Sequence, residues 1–395
     1  MKLSVCSYLF LYLWLHEPAI AIVENLAELC RQGKKEAIAW KKERNPVMQM
    51  EVHGGDIYRN EIEYDFSVNV NPLGVPEAVK HAMQEAISVC DCYPDIHARA
   101  LTDQLRIVEH ADNCEILCGN GASELFMAVV HALRPKKVLI PVPSFYGYEW
   151  AAQAVDSETV FYGMKKEMGY CLDKGIFQYL TEDIDLLFLA NPNNPVGNVI
   201  TESLLLEILE KCRALGIWVV LDECFLDFTG KAGFGADPDN WKRYPDVIVV
   251  KAFTKLYAVP GVRLGYLLTG NRTLAQRVRR QLPEWNLSVF AQYAGLAALE
   301  ETEYRRKTVE YVKTERIYLE KELKRLGIYV YPGEADYLLL YSEIPLYGKL
   351  LARKLLIRDC SNYRGLGSGF YRVAVKTHAE NEILIRAIAC IMKSR

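Results

Sequence analysis

Between residues 115 and 255 the chain repeats one pattern: a short apolar run, an abrupt loop, then a helical stretch. The runs are ILC at 116–118, KVLIPV at 137–142, DLLFL at 185–189, IWVVL at 217–221 and the segment 246–250, DVIVV. Apolar runs without alternation suit strands buried on both faces. With short strand-to-helix connections, the pattern predicts a mostly parallel sheet with helices on both faces, an α/β class domain. Ligands of such open sheets bind beyond the carboxyl ends of the strands, so the loops after the runs are where chemistry is expected.

Those loops carry specific residues. ILC runs into Gly119-Asn120-Gly121-Ala122-Ser123 and a helix to about 133. Free N–H groups at a helix start attract a phosphate, and Ser123 adds a hydroxyl. The Lys-Ser or Lys-Thr pair of a mononucleotide loop is missing, and so is the dinucleotide pattern. KVLIPV ends in Pro143-Ser144-Phe145-Tyr146-Gly147-Tyr148, an aromatic cluster at a strand's carboxyl end. DLLFL is followed by Asn191-Pro192-Asn193-Asn194-Pro195-Val196-Gly197. IWVVL ends in Asp222, a carboxylate that burial makes costly unless it has a partner. DVIVV leads to Thr254-Lys255, with Pro260, Gly261 and Arg263 beyond.

Singly, these features are a tight turn, core packing or a solvated lysine. Together they are the parts that hold pyridoxal phosphate. Lys255 forms the imine, and Asp222 keeps the ring nitrogen protonated. Asn194 bonds the ring oxygen, and Phe145 stacks on the ring. Gly121, Ala122, Ser123, Thr254 and Arg263 surround the phosphate. A nucleotide-binding or scaffold protein would leave Lys255, Asp222 and Asn194 as coincidences on successive strand ends.

The chain has 395 residues, 51 % of them hydrophobic, enough for a large domain and a smaller one. Its net charge of −3 and lack of a basic block give nucleic-acid binding no support. Eleven scattered cysteines have no histidine partners at zinc spacing, which predicts reduced thiols, a cytoplasmic protein and no metal. Residues 3–15, LSVCSYLFLYLWL, are apolar but shorter than a spanning helix needs, and no small-residue cleavage pattern follows directly. The expectation is a helical extension over 1–50, with membrane contact by residues 1–20 the less favoured alternative. Residues 51–75 are expected to join the small domain, and 76–285 to form the large cofactor domain. Residues 286–395 are expected to supply a connecting helix and a smaller α/β domain, with alternating strands after 327 and a closing helix at 379–393.

The motifs NPNNPVG, LDECFLDF and KAFTKLYAVPGVRLGY resemble those of fold-type-I pyridoxal-phosphate enzymes of the aspartate-aminotransferase class. HGGD, DFSVNVNPLG, LLIRDCSNYRGL and FYRVAVKTHAEN are most similar to threonine-phosphate decarboxylases of cobalamin synthesis, with histidinol-phosphate aminotransferases the other near relatives. The resemblance covers about 51–395. It implies a homodimer in which Tyr93 reaches the neighbour's cofactor phosphate. It also implies that Arg372 holds the substrate's α-carboxylate, that Asn71 and Gly74 line the substrate side, and that Arg358 and Arg364 are available for a substrate phosphate. Two departures stand out. Phe225 occupies the place of a common tyrosine, removing a donor to the ring oxygen and raising the imine's pKa, and the decarboxylase-like sequences share it. Ala252 replaces a usual phosphate-binding serine. The reaction implied is decarboxylation of an O-phospho-L-amino acid, threonine or serine phosphate; the alternative is aminotransfer of the histidinol-phosphate type.

Overall fold

The computed structural model describes residues 53–393, so the apolar run 3–15 and the expected N-terminal helices lie outside the described residues. In chain order the strands are β1 (Tyr64–Asp65), β2 (Glu115–Gly119), β3 (Lys137–Val142), β4 (Glu158–Gly163), β5 (Leu186–Ala190), β6 (Trp218–Asp222) and β7 (Val247–Ala252). They continue with β8 (Gly265–Thr269), β9 (Tyr329–Val330), β10 (Tyr337–Tyr341), β11 (Leu355–Leu356), β12 (Arg358–Asp359) and β13 (Phe370–Ala374).

The main sheet has seven strands in the order β2-β8-β7-β6-β5-β3-β4. Neighbours from β4 to β7 are parallel, while β8 runs antiparallel to both β7 and β2. Its inner strands are apolar on both faces. Leu187, Leu189, Val219, Leu221 and Val249 enter one core layer, and Leu186, Phe188, Val220, Ile248 and Val250 enter the other. This two-sided burial is why the runs lack alternation. Two strands, β4 and β8, were not among the apolar runs. β4 is a half-buried edge strand with one fully buried position, and β8 follows directly on the Lys255–Arg263 loop.

Helices cover the sheet and are punctuated locally. The helix Glu202–Leu215 stops at Gly216, which takes the left-handed φ of +70° that glycine adopts without penalty. Asn271 starts the helix Arg272–Arg279 by accepting the Leu274 N–H at 2.9 Å. The helical run expected over 288–326 is two helices, Val289–Leu299 and Thr302–Arg325, with Ser288 capping the first and the backbone breaking at Glu301.

The smaller sheet, β12-β13-β10-β9, is antiparallel. Its register sets Arg358 opposite Arg372. β1 pairs in parallel with β11, and Phe66 is buried with Leu338, Leu340, Val373 and Leu384 of the smaller core. Among the described residues no helix is long and apolar enough to cross a membrane.

Candidate active site

The carboxyl ends of β2, β3, β5, β6 and β7 share one edge of the main sheet, and a cavity of about 220 Å³ lies there. Ala122, Ser123, Phe145, Asn194, Asp222, Thr254, Lys255 and Arg263 line it, together with Arg358 and Arg372 from the smaller sheet.

Lys255 stands in a one-turn helix, Phe253–Leu256, directly after β7. Its amine has no hydrogen bond or ion pair among the described residues. Burial lowers its pKa, opposed by Asp336 and reinforced by Arg372. A lysine so depressed is more readily the neutral nucleophile.

Asp222 ends β6. Its Oδ2 accepts the Tyr148 hydroxyl at 2.5 Å and its Oδ1 accepts the Cys224 N–H at 2.9 Å. Burial raises its pKa while the Cys224 and Tyr148 bonds oppose the shift. A carboxylate with two donors retains acceptor capacity for a protonated ring nitrogen.

The asparagine loop divides its labour. Asn191 Oδ1 accepts the Ile200 N–H at 2.9 Å. Asn193 donates to Pro143 O at 3.1 Å and accepts the Val196 N–H at 3.2 Å. Both therefore brace the loop, while Asn194 lines the cavity. Arg372 Nη1 donates to Asn194 Oδ1. Arginine only donates, so this bond leaves the Asn194 amide N–H groups to donate to a ring oxygen.

At the expected phosphate position Gly121 has φ +81°, and a Cβ added there would lie 2.4 Å from Arg263 Nη2. Glycine thus lets the guanidinium lie against the turn that opens the helix Ala122–Leu133. The Ser123 and Thr254 hydroxyls have no partner among the described residues, and Arg263 spends only Nη1, on Pro260 O at 3.2 Å. An N-terminal helix turn, two free hydroxyls, a guanidinium, an unpartnered amine, an aromatic face and a buried carboxylate fit pyridoxal phosphate part by part. Ala252 lines the same cavity and adds no hydroxyl.

Arg372 is buried, its Nη2 donates to Ser67 O at 2.9 Å, and its guanidinium lies 5.4 Å from the Tyr337 ring. Arg358 is buried as well, 5.1 Å from the Tyr363 ring, with Nη2 on Asn362 Oδ1 at 2.7 Å.

Gly121 packs against Arg263 and is not part of the cavity wall, and four further expected residues do not line it either. Asn71 is buried, and its side chain donates to Leu256 O at 2.6 Å and Thr308 Oγ1 at 2.7 Å while accepting the Leu73 N–H. It props the Lys255 turn and has little left for a substrate. Gly74 takes φ +74° and accepts the Tyr304 hydroxyl at 2.6 Å. Arg364 is committed to Glu149 through two bonds of 2.8 and 2.6 Å and lies over Phe161. Tyr93 is 82 % exposed, with its ring 4.9 Å from that of Trp285.

Other cavity residues escaped the sequence reading: Tyr148, His53, Gly54, Ser67 and Tyr363. Tyr148 stacks on Phe188 at 4.9 Å and meets Phe126 edge-on at 5.2 Å, which aims its hydroxyl at Asp222. The aromatic cluster after β3 was its only signal, and nothing local says which ring turns toward the carboxylate.

Residues 61–388 match the family model described as aminotransferase class I and II. The threonine-phosphate decarboxylase of Salmonella typhimurium is 37 % identical over 334 residues, covering 83 % of this chain and 91 % of that protein. The crystal structure of the histidinol-phosphate aminotransferase from Clostridium acetobutylicum superposes with a TM-score of 0.79 at 30 % identity, covering 84 % of this chain and 100 % of that one. That of L-threonine-O-3-phosphate decarboxylase from Porphyromonas gingivalis gives 0.73 at 26 % identity, covering 83 % and 99 %. The chain therefore belongs to the class I and II aminotransferase family, as a fold-type-I enzyme related to both decarboxylase and aminotransferase members, and its cofactor is pyridoxal phosphate.

Proposed function

We propose that this protein acts on a phosphorylated amino acid or amino alcohol. The observation that carries the reading is the facing pair Arg358 and Arg372 on β12 and β13, both buried and both lining the cavity. Arg263 and the Gly121 turn already provide for the cofactor's phosphate, so the pair provides for further anionic groups. Bound here, pyridoxal phosphate withdraws electrons from the substrate's α-carbon and lets one of its bonds break heterolytically. Asp222, held by Tyr148 and Cys224, keeps the ring nitrogen's proton in place. Arg372 orients a substrate carboxylate beside Asn194, Arg358 takes a substrate phosphate, and Lys255 moves a proton at the α-carbon.

Two reactions use this arrangement. Aminotransfer of the histidinol-phosphate type has the broader support from the family match and from the solved structure with TM-score 0.79. Arg372 favours it, because a carboxylate held beside Asn194 leaves the α-proton to Lys255. Decarboxylation, the reaction expected from the motifs, is the second reading. It is supported by Phe225 in the cavity wall and by the 37 % identity to the Salmonella protein. In that reaction Arg358 would hold the substrate phosphate and leave the carboxylate free of Arg372, so the α-carbon's bond to the carboxylate would break with release of CO2, and Lys255 would return a proton to the α-carbon.

The test is a mass-spectrometric assay of cofactor-loaded protein with O-phospho-L-threonine, O-phospho-L-serine and histidinol phosphate, each with and without 2-oxoglutarate. Glutamate formed only when the keto acid is present supports aminotransfer. An amino-alcohol phosphate formed without the keto acid supports decarboxylation, and no product from any of the three overturns the substrate class. The reading includes a homodimer, for which the exposed Tyr93–Trp285 pair offers an aromatic surface. A monomer in size exclusion at two concentrations would refute it.

A further inference from the structure

Asp336 stands just before β10, fully buried, and neither of its carboxylate oxygens has a hydrogen-bond partner among the described residues. Its backbone is clamped to the cofactor loop. The Glu334 and Ala335 N–H groups both donate to Gly197 O, at 2.6 and 3.3 Å, and the Tyr337 hydroxyl donates to Asn193 O at 2.8 Å. On the other side the Val375 N–H donates to Asp336 O at 2.8 Å. A buried, unbonded carboxylate is strongly unfavourable as an anion unless cations face it.

The cations whose charges act on it are Lys255 beyond β7, Arg372 of β13 and Lys376 beyond β13. The groups whose charges act on Lys255 are in turn Asp336, Arg372, Cys224 and Arg263. The buried carboxylate that lines the cavity, Asp222, is already committed to Tyr148 and Cys224. Arg372 is committed to Asn194 and Ser67, with its Nε buried and unpartnered. Asp336 is thus an acidic group near Lys255 that no donor has claimed.

We propose that Asp336 is a positioning residue for Lys255: a buried anion that, from neutral pH upward, keeps the lysine nitrogen protonated once it is linked to the cofactor. Phe225 acts in the same direction, because a ring oxygen short of one donor also favours a proton on that nitrogen. Burial pushes the Asp336 carboxyl up to about 7, with Lys255 and Arg372 opposing, so its charge is present above neutrality and lost below. The proposal rests on Lys255 being the cofactor lysine.

The test is a pH titration of the near-ultraviolet to visible band of cofactor-loaded protein. In Asp336→Asn the midpoint falls by about one pH unit or more, the effect of removing one nearby unit of negative charge. In Asp336→Glu, which keeps the charge, it stays close to wild type. A folded Asp336→Asn protein with an unmoved or raised midpoint overturns the proposal. If that variant does not fold, infrared difference spectra of the wild-type holoenzyme decide. A protonated carboxyl band that shifts in Asp336→Glu and persists at pH 8.5 overturns the proposal, because Asp336 is then no anion, and its loss by that pH supports the proposal. Lys255→Ala separates the underlying assignment: the band must vanish there, and its persistence overturns both.

Discussion

Replacing Tyr148 by Phe removes one hydroxyl and leaves the ring. The ring packs between Phe126 and Phe188 and is buried, so the aromatic stack survives the change. Asp222 loses its 2.5 Å donor and keeps only the Cys224 N–H at 2.9 Å. A hydrogen bond to a charged group is worth roughly 1.5–3 kcal/mol. Asp222 is a carboxylate that burial already pushes toward its protonated form. Losing a donor that stabilises the anion pushes it further, so the ionised partner of the ring nitrogen is lost at higher pH than in the wild type. At neutral pH this corresponds to a cofactor dissociation constant raised about 10-fold to 100-fold, taking 1.36 kcal/mol per tenfold. The assay is equilibrium dialysis of pyridoxal phosphate from pH 5.5 to 8.5, with circular dichroism to show an unchanged fold. The acidic limb of the affinity profile moves to higher pH in the variant. Profiles that coincide in position and height would refute the claim that Tyr148 sets the charge of Asp222.

Three further outcomes follow from the same geometry. Gly121→Ala sets a Cβ against Arg263 Nη2 at φ +81°, a backbone conformation strained for any residue with a side chain, and should weaken cofactor binding at least about tenfold and lower stability by about 1–3 kcal/mol, read by dialysis and calorimetry. Lys251→Met strips Glu109 of the buried cation that bonds both its oxygens at 2.9 Å, and should cost about 3–5 kcal/mol in urea denaturation. Glu223→Gln concerns a carboxyl that burial pushes up to about 7 and that accepts the Phe234 N–H at 2.8 Å. Because its folded-state pKa is raised, the stability it contributes is full below the unfolded value and is lost as pH rises through 7. The variant should gain on the wild type between pH 5 and 8 by up to about 3 kcal/mol, and a pH-independent difference would contradict the burial argument.

How far each residue could be read in advance depended on the range of the interaction that places it. Phe145, Asn194, Asp222 and Lys255 were legible because each follows an apolar run, and a parallel sheet turns that local order into one shared edge. Arg358 and Arg364 stand in the same motif six residues apart, and nothing local separates them. Pairing of β12 with β13 sets the first opposite Arg372, whereas Glu149, more than two hundred residues earlier in the chain, claims the second. Tyr148 and Asp336 escaped for the same reason. One needed an aromatic stack to aim it, and the other a clamp between Gly197 and Val375.

By itself, then, the sequence determined the α/β class, the strand runs and the loop chemistry that points to pyridoxal phosphate. Such features are written in burial periodicity and in residue types next to one another. The tertiary structure alone decided that β8 runs antiparallel within the sheet, that Asn71 props the Lys255 turn, and which of two neighbouring arginines faces the cavity. Those outcomes depend on strand register and on which distant donor meets which acceptor, and a buried polar group goes to whichever partner folding brings within about 3 Å of it.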